Sequence, residues 1–267
     1  MMIFHKCIKK LAIILAIFLI LNIFYFSFIG IKSFIVSLSN QKEINLSDNI
    51  LLDNMNIYNL DIKLKSSKLV IKNSPNFKIE TNNENIKAIV DNKTLMIKED
   101  KYQFFHPDDL EVIIYLPHDI LFNEIEIESG FGSIEGDSLQ ANQLSLELNA
   151  GSTLLNSLIV LDKTQIKGGL GEIKIVSGKL TNLNLDMGLG KIEINSEFEE
   201  NTKIKAGIGE VIVNILDEKD NYTLKLDKGI GNIKVNSEEI TDKISGSGDK
   251  TIEIKGGIGN ILVYFEK

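Results

Sequence analysis

Cysteine is all but missing from this chain. The single one, Cys7, precedes the first long apolar run, so it cannot be the lipid-carrying residue of a lipoprotein signal. Beyond that run there is none, which excludes disulfides and a thiol nucleophile there and leaves stability to strand stacking. Histidine is almost as scarce, with only His106 and His118 after the run. Together with Asp109 they could offer two imidazoles and a carboxylate to a metal. Two histidines flanking a strand read more simply as surface residues, and no metal or other cofactor is expected. Arginine and tryptophan are absent, so all 29 basic residues are lysine, against 37 acids. Past residue 36 the balance is 25 basic to 37 acidic, net −12. That disfavours nucleic acid and other polyanions as partners, because they need clustered positive charge. Disorder is excluded too, since 43% of the chain is hydrophobic and the apolar residues are periodic.

Charge is also lacking over residues 11–31, a run of 21. As a helix it would span about 30 Å, the thickness of a bilayer core. Lys6, Lys9 and Lys10 precede it, and no acid occurs before Glu43. The positive-inside bias then predicts a single-pass signal anchor in the cytoplasmic membrane. Residues 1–10 would be cytoplasmic and everything after Lys32 extracytoplasmic. A cleaved signal peptide is the competing reading, but the run is long for one and no small-x-small site follows it. Residues 37–49, SLSNQKEINLSDN, read as a linker.

What the chain has in quantity is one repeated phrase. KGGLGEIKI occupies 167–175, and variants read SGFGSIE, MGLGKIEI, AGIGEVIV, KGIGNIKV and GGIGNILV. Their second glycines are Gly132, Gly171, Gly190, Gly209, Gly231 and Gly259. A worn copy at 146–155 puts Thr153 in that place, giving steps of 21, 18, 19, 19, 22 and 28 residues. A period near twenty marks a solenoid, in which each unit buries its apolar face against its neighbours. Before the glycine, apolar residues alternate, as in Ile166, Gly168 and Leu170; after it the parity flips to Ile173 and Ile175. A flip with both sides facing inward needs a corner, and glycine permits the positive φ such a corner uses. Each unit is expected to be strand, glycine corner, strand and a polar return loop such as residues 195–200. The expected fold is all-β, a single-stranded parallel β-helix of about seven rungs over 118–267, roughly 35 Å long. An antiparallel meander or sandwich would share the alternation. Residues 50–117 are less regular and read as β-hairpins capping the first rung, with Pro117 ending the entry strand.

The order of parts resembles a bacterial adhesin-like family of unknown function built of β-strand repeats. A membrane segment, irregular hairpins and a strand ending in Leu116-Pro117 precede the train of G-x-G-x-I-x-I units. The related head-GIN adhesin domain takes its name from a tripeptide present in GIGNIKV and GIGNILV, at 229–235 and 257–263. The resemblance covers about 60–263. It implies a β-solenoid-like fold and, for some members, a place beside envelope stress-response systems. It carries over no catalytic residues.

Other chemistries fail on context. The glycine pairs lie between strands with no following helix and no Lys-Ser/Thr, so they do not cradle phosphate. Only residues 246–249 approach a calcium nonapeptide, and one copy builds no shared site. Glu172, Lys191, Glu210, Asn232 and Asn260 occupy equivalent outward positions, a ladder of mixed charge without the acid pair a glycan hydrolase needs. The chain therefore reads as a non-enzymatic envelope protein that binds a protein or cell-wall partner. A self-assembling scaffold is the alternative, and a glycan-acting enzyme the least favoured. The final rung is followed by only four residues, so Ile258, Ile261, Val263 and Phe265 are expected to form an open edge for a partner or a second copy.

Overall fold

The computed structural model describes residues 42–44, 56–101, 110–240 and 244–266. The expected anchor at 11–31, the segment before it, most of the linker, His106 and Asp109 lie outside them. No helix among the described residues is long and apolar enough to cross a membrane. The chain divides into two compact units, Met1–Lys42 and Glu43–Lys267. A three-residue strand, β1 (Lys42–Ile44), falls at the division, and the remaining β-structure belongs to the second unit.

That unit is all-β and largely parallel. Its centre is built from β9 (Ile134–Ile175), β11 (Leu183–Glu199) and β12 (Asn201–Ile215), stacked in register. Leu185 lies between Ile166 and Ile204, Ile192 between Ile173 and Val211, and Ile194 between Ile175 and Val213. All of these side chains are buried. Each contributes about 1.5–3 kcal/mol through removal from water. The column at Met187 explains the small residues beside it. Met187 is buried between Gly168 and Ala206, and a β-carbon on Gly168 would meet its sulfur at 3.1 Å.

The return segment is not the polar loop that its composition suggests. β10 (Gly178–Thr181) pairs in parallel with 158–160 of β9 and with 197–199 of β11. Leu158, Val160, Leu180 and Phe198 point into the core. Each of these central layers therefore has three sides, and one apolar residue every second position suffices to line the third.

Layer order departs from chain order at both ends. β13 (Tyr222–Ile230) and β14 (Ile233–Val235) do not stack on β12. That place belongs to the last two strands, β17 (Lys250–Ile258) and β18 (Ile261–Phe265). Ile254 lies between Ile204 and Leu226, and Ile261 between Val211 and Ile233. The uneven steps have their reason here. Nineteen residues climb one layer. The 22 from Gly209 to Gly231 climb two, with extra chain in a 3-10 turn at Lys219–Asn221. The 28 that follow step back one layer and spend the excess on β15 (Glu238–Glu239) and β16 (Ile244–Ser245), which pair antiparallel with β14 and β13.

The other end repeats the device. β2 (Asn59–Leu64) and β3 (Lys68–Asn73) insert between β6 (Thr94–Glu99) with β7 (Glu111–Leu116) on one side and β8 (Phe122–Ser129) with the start of β9 on the other. Ile62 thus faces Ile97 and Ile127, and Leu69 faces Val112 and Ile134. Here β4 (Lys78–Thr81) and β5 (Ile86–Asp91) run antiparallel, against β7 and β6. The region read as a hairpin cap therefore contributes two full layers as well.

Candidate functional site

The glycine corner is where the surface becomes unusual. Gly171, Gly190, Gly209, Gly231 and Gly259 have φ between 136° and 144°. At Gly190 and Gly209 a β-carbon would lie 1.7 and 1.6 Å from the carbonyl oxygen of the glycine in the adjoining layer. Both the backbone conformation and the layer spacing therefore demand glycine. Gly132 is held differently: its φ is not positive, and only close approach to the Ser67 carbonyl, at 2.2 Å, excludes a side chain. The worn copy keeps its corner glycine at Gly151, φ 138°, which abuts Gly132 and Gly171. Thr153, expected in that place, lies two residues further on and is buried in the core.

The first glycine of each pair is also a contact point. A β-carbon at Gly188 or Gly207 would meet the carbonyl of the layer beside it at 2.7 or 2.4 Å. Between two residues without side chains stands one with a large apolar side chain, and it points outward. Phe131, Leu170, Leu189, Ile208, Ile258 and Ile230 are 47–69% exposed. Leu189 is in register with Leu170 and Ile208, and Ile258 with Ile208 and Ile230. Leu170 to Ile230 form an unbroken apolar ridge along five layers, and Phe131 extends it beyond the smaller Ala150. Simple alternation assigned Leu170 and its equivalents to the core. The corner rotates them out, because the turn begins one residue before the glycine with positive φ. The readable signal is that this position is apolar in every layer and, outside the Ala150 layer, has glycine on both sides.

Charged columns flank the ridge. On the far side of the corner Lys191 stands between Glu172 and Glu210, as the outward ladder predicted. Its pKa is raised, first by the hydrogen bond it donates to Glu193 at 2.6 Å, with Glu172 and Glu210 adding to the effect. Asn260 and Asn232 continue the column, and Asn260 Oδ1 accepts the Asn232 N–H at 3.2 Å. On the near side Asp186 stands between Lys167 and Lys205.

The edge expected at the last rung is not an edge. Ile261 and Val263 are 1% and 0% exposed, paired on both sides by β12 and β14. Phe265 packs partly buried against the core, its ring 6.1 Å from that of Tyr222. Of the four residues only Ile258 is exposed, and it belongs to the ridge. The layer order buried the others.

Two polar clusters lie toward the ends of the stack. Glu99 is fully buried, and its carboxylate accepts the backbone N–H groups of Lys65, Ser66 and Ser67 at 2.6, 2.8 and 3.1 Å. Ser66, Ser67 and Asn83 side chains complete its shell. Elsewhere along the corner such N–H groups donate to the carbonyls of the adjoining layer, as Ala150 does to Gly130 and Phe131 to Lys65. Glu99 takes that role for Lys65–Ser67. Burial pushes the carboxyl pKa up, but these hydrogen bonds outweigh it and the pKa is lowered.

At the other end Lys250 joins Asp217 at 3.0 Å and Glu199 at 3.1 Å. Burial opposes the Asp217 charge, yet the Glu218 N–H, Lys250, Asn221 and Tyr222 hold its pKa down at about 2. Burial pushes the Tyr222 phenol up to about 12. Among the described residues no three His, Cys, Asp or Glu side chains gather as metal ligands.

A family model described as Toastrack DUF4097 matches residues 53–256. The chain belongs to the Toastrack DUF4097 family. The match takes in the inserted N-terminal layer and runs to the last glycine corner, so the toastrack stack and its ridge both lie almost wholly inside it. Three solved structures resemble this toastrack chain. A candidate cell adhesion protein from Clostridium sporogenes is 18% identical, with a TM-score of 0.35, covering 85% of this chain and 100% of its own. A candidate adhesin from Bacteroides fragilis is 13% identical with a TM-score of 0.38, over 84% and 95%. One from Parabacteroides merdae is 14% identical with a TM-score of 0.24, over 85% and 96%. None of the curated proteins matches the chain.

Proposed function

We propose that this chain is a non-enzymatic binding protein of the cell envelope, a β-solenoid held at the cytoplasmic membrane by residues 11–31 as a single-pass anchor. Its β-region is extracytoplasmic and engages a protein partner through the ridge. The anchor reading is supported by the uncharged run and the lysines before it. The observation that carries the function is the ridge itself. Soluble surfaces scatter large apolar side chains singly, whereas a contiguous apolar strip with a charged border marks an interaction surface. The glycines on either side keep the strip clear, so a partner can reach the apolar side chains without displacing others.

The test is a photo-crosslinking residue placed at Leu189 or Ile208 in the full chain in intact cells. Leu161, 48% exposed and off the ridge, is the control position. Adducts at the ridge positions and none at Leu161 are expected. Equal labelling at all three, or none at any, would reject the ridge as the binding surface. Topology is checked separately: protease added to spheroplasts should digest the β-region, and protection until lysis would reverse the orientation.

A further inference from the structure

We propose that the partner on the ridge is a second copy of this chain, packed ridge to ridge about a two-fold axis parallel to the stack. The inference rests on the reading of the ridge as a binding surface and names its occupant.

The signs of the charges flanking the ridge point to its occupant. Consider the charge three residues before each ridge residue and the charge two after it. Around Leu170 these are Lys167 and Glu172; around Leu189, Asp186 and Lys191; around Ile208, Lys205 and Glu210. In each of these central layers the two flanks carry opposite charges. In every other layer of the ridge the far flank is Ser or Asn, at 133, 152, 260 and 232. No layer carries like charges on both flanks.

A two-fold axis along the ridge lays each layer on itself and brings the near flank of one copy against the far flank of the other. Lys167 then meets Glu172, Asp186 meets Lys191 and Lys205 meets Glu210, each pair occurring twice, with the apolar side chains between them. An axis across the ridge sets each flank against its own reversed copy. With the ridges fully overlapped about Leu189, that arrangement opposes Asp186 to Asp186, Lys167 to Lys205 and Glu128 to Asp227, and on the far flank Lys191 to Lys191 and Glu172 to Glu210, against one attractive contact, Glu147 with Lys255. Like charges so placed disfavour it. Displaced by one layer, so that it passes between Leu170 and Leu189, the crossed axis sets Lys167 against Asp186 and Glu172 against Lys191, but it leaves Ile230 uncovered. The parallel axis pairs opposite charges with every layer of the ridge covered, as an isologous interface requires. That arrangement also leaves both stacks pointing the same way, so the first strands of the two copies emerge at the same end.

Self-cross-linking tests this directly, because a residue on a two-fold axis is its own neighbour. In the full chain with Cys7→Ser, single substitutions Leu170→Cys, Leu189→Cys, Ile208→Cys and Ile258→Cys should each give a disulfide-linked homodimer in membranes under mild oxidation. Leu161→Cys should not. Cross-linking confined to Leu189, or to Leu170 and Leu189, would mean an axis across the ridge and overturn the proposed symmetry. Failure at all four overturns the dimer. Adding Asp186→Lys to Leu189→Cys should lower the dimer yield roughly tenfold, since two attractive pairs become repulsive. Adding Lys191→Asp to that variant should restore it, and no rescue would refute the charge pairing. The ridge residues are exposed, so unchanged melting of each variant confirms that folding is not what was altered. Photo-adducts to other proteins at Leu189 without self-cross-links would sink the dimer and leave the ridge a binding surface; adducts to nothing would sink both.

Discussion

Gly259 packs against Gly209, its α-carbon facing the Gly209 carbonyl so closely that a β-carbon would sit 1.6 Å away, although the chain makes Gly231 in between. The last strands are thus an interior layer. Ile261→Lys, which would be harmless on an open edge, should place an unpaired charge in the core and destabilise the β-region by more than about 3 kcal/mol. Urea unfolding followed by circular dichroism measures it. A variant as stable as the wild type would return β18 to the surface.

The corner glycines are predicted to be irreplaceable even by alanine. Gly190→Ala and Gly209→Ala each combine strained φ with a clash against backbone, for a loss of about 3 kcal/mol or more. Gly132→Ala meets the clash alone and should be the milder of the three. Equal losses at Gly132 and Gly190 would show that φ contributes nothing.

Much of this was legible in the chain. The period, the glycine corners and the alternation around Ile173 and Ile192 follow from steric rules that act within one unit. What was not legible depends on which unit meets which. Register repeats are equally satisfied whether Ile261 stacks on Ile233 alone or between Ile233 and Val211, so pattern alone could not see the insertion. The steps of 22 and 28 residues did record it, as path length. The ridge was hidden for a different reason. Leu170 keeps the parity of a core residue, and only the corner's rotation turns it to solvent. Phe198 escaped because one apolar residue amid Asn, Ser and Glu looks like a loop.

Acid should find Glu99. Its folded pKa lies below the ordinary 4.5, so its contribution is complete above that value and is lost as pH falls through the lowered one. Glu99→Gln keeps the shape but removes the charge from three backbone donors, and should reduce stability by about 2–3 kcal/mol at neutral pH. Unfolding midpoints from pH 7 downward should show the gap between the two proteins closing below about pH 4.5. A gap that persists into strong acid would remove the carboxylate from the explanation.

Lys250→Met should loosen the inserted layer. Asp217 is held at about 2 in the fold against 3.8 unperturbed, so the pair's contribution is present above about pH 4 and lost toward pH 2. Its removal should lower stability by about 1 kcal/mol at neutral pH, with Glu199 retaining Lys179 at 2.9 Å. Thermal melts across that range, wild type against variant, test both the size and the acid convergence.

The tucked layers change how the molecule would answer to force. In a simple stack of repeats a pull on the chain peels the outermost unit, one hydrogen bond after another, along a single seam. Here β2 with β3 and β17 with β18 are each gripped on two sides. Tension on either end of the β-region must slide a layer out from between two others, so that both seams carry the load together. Pulled from its two ends, the stack would act as a strut that transmits the load before it yields.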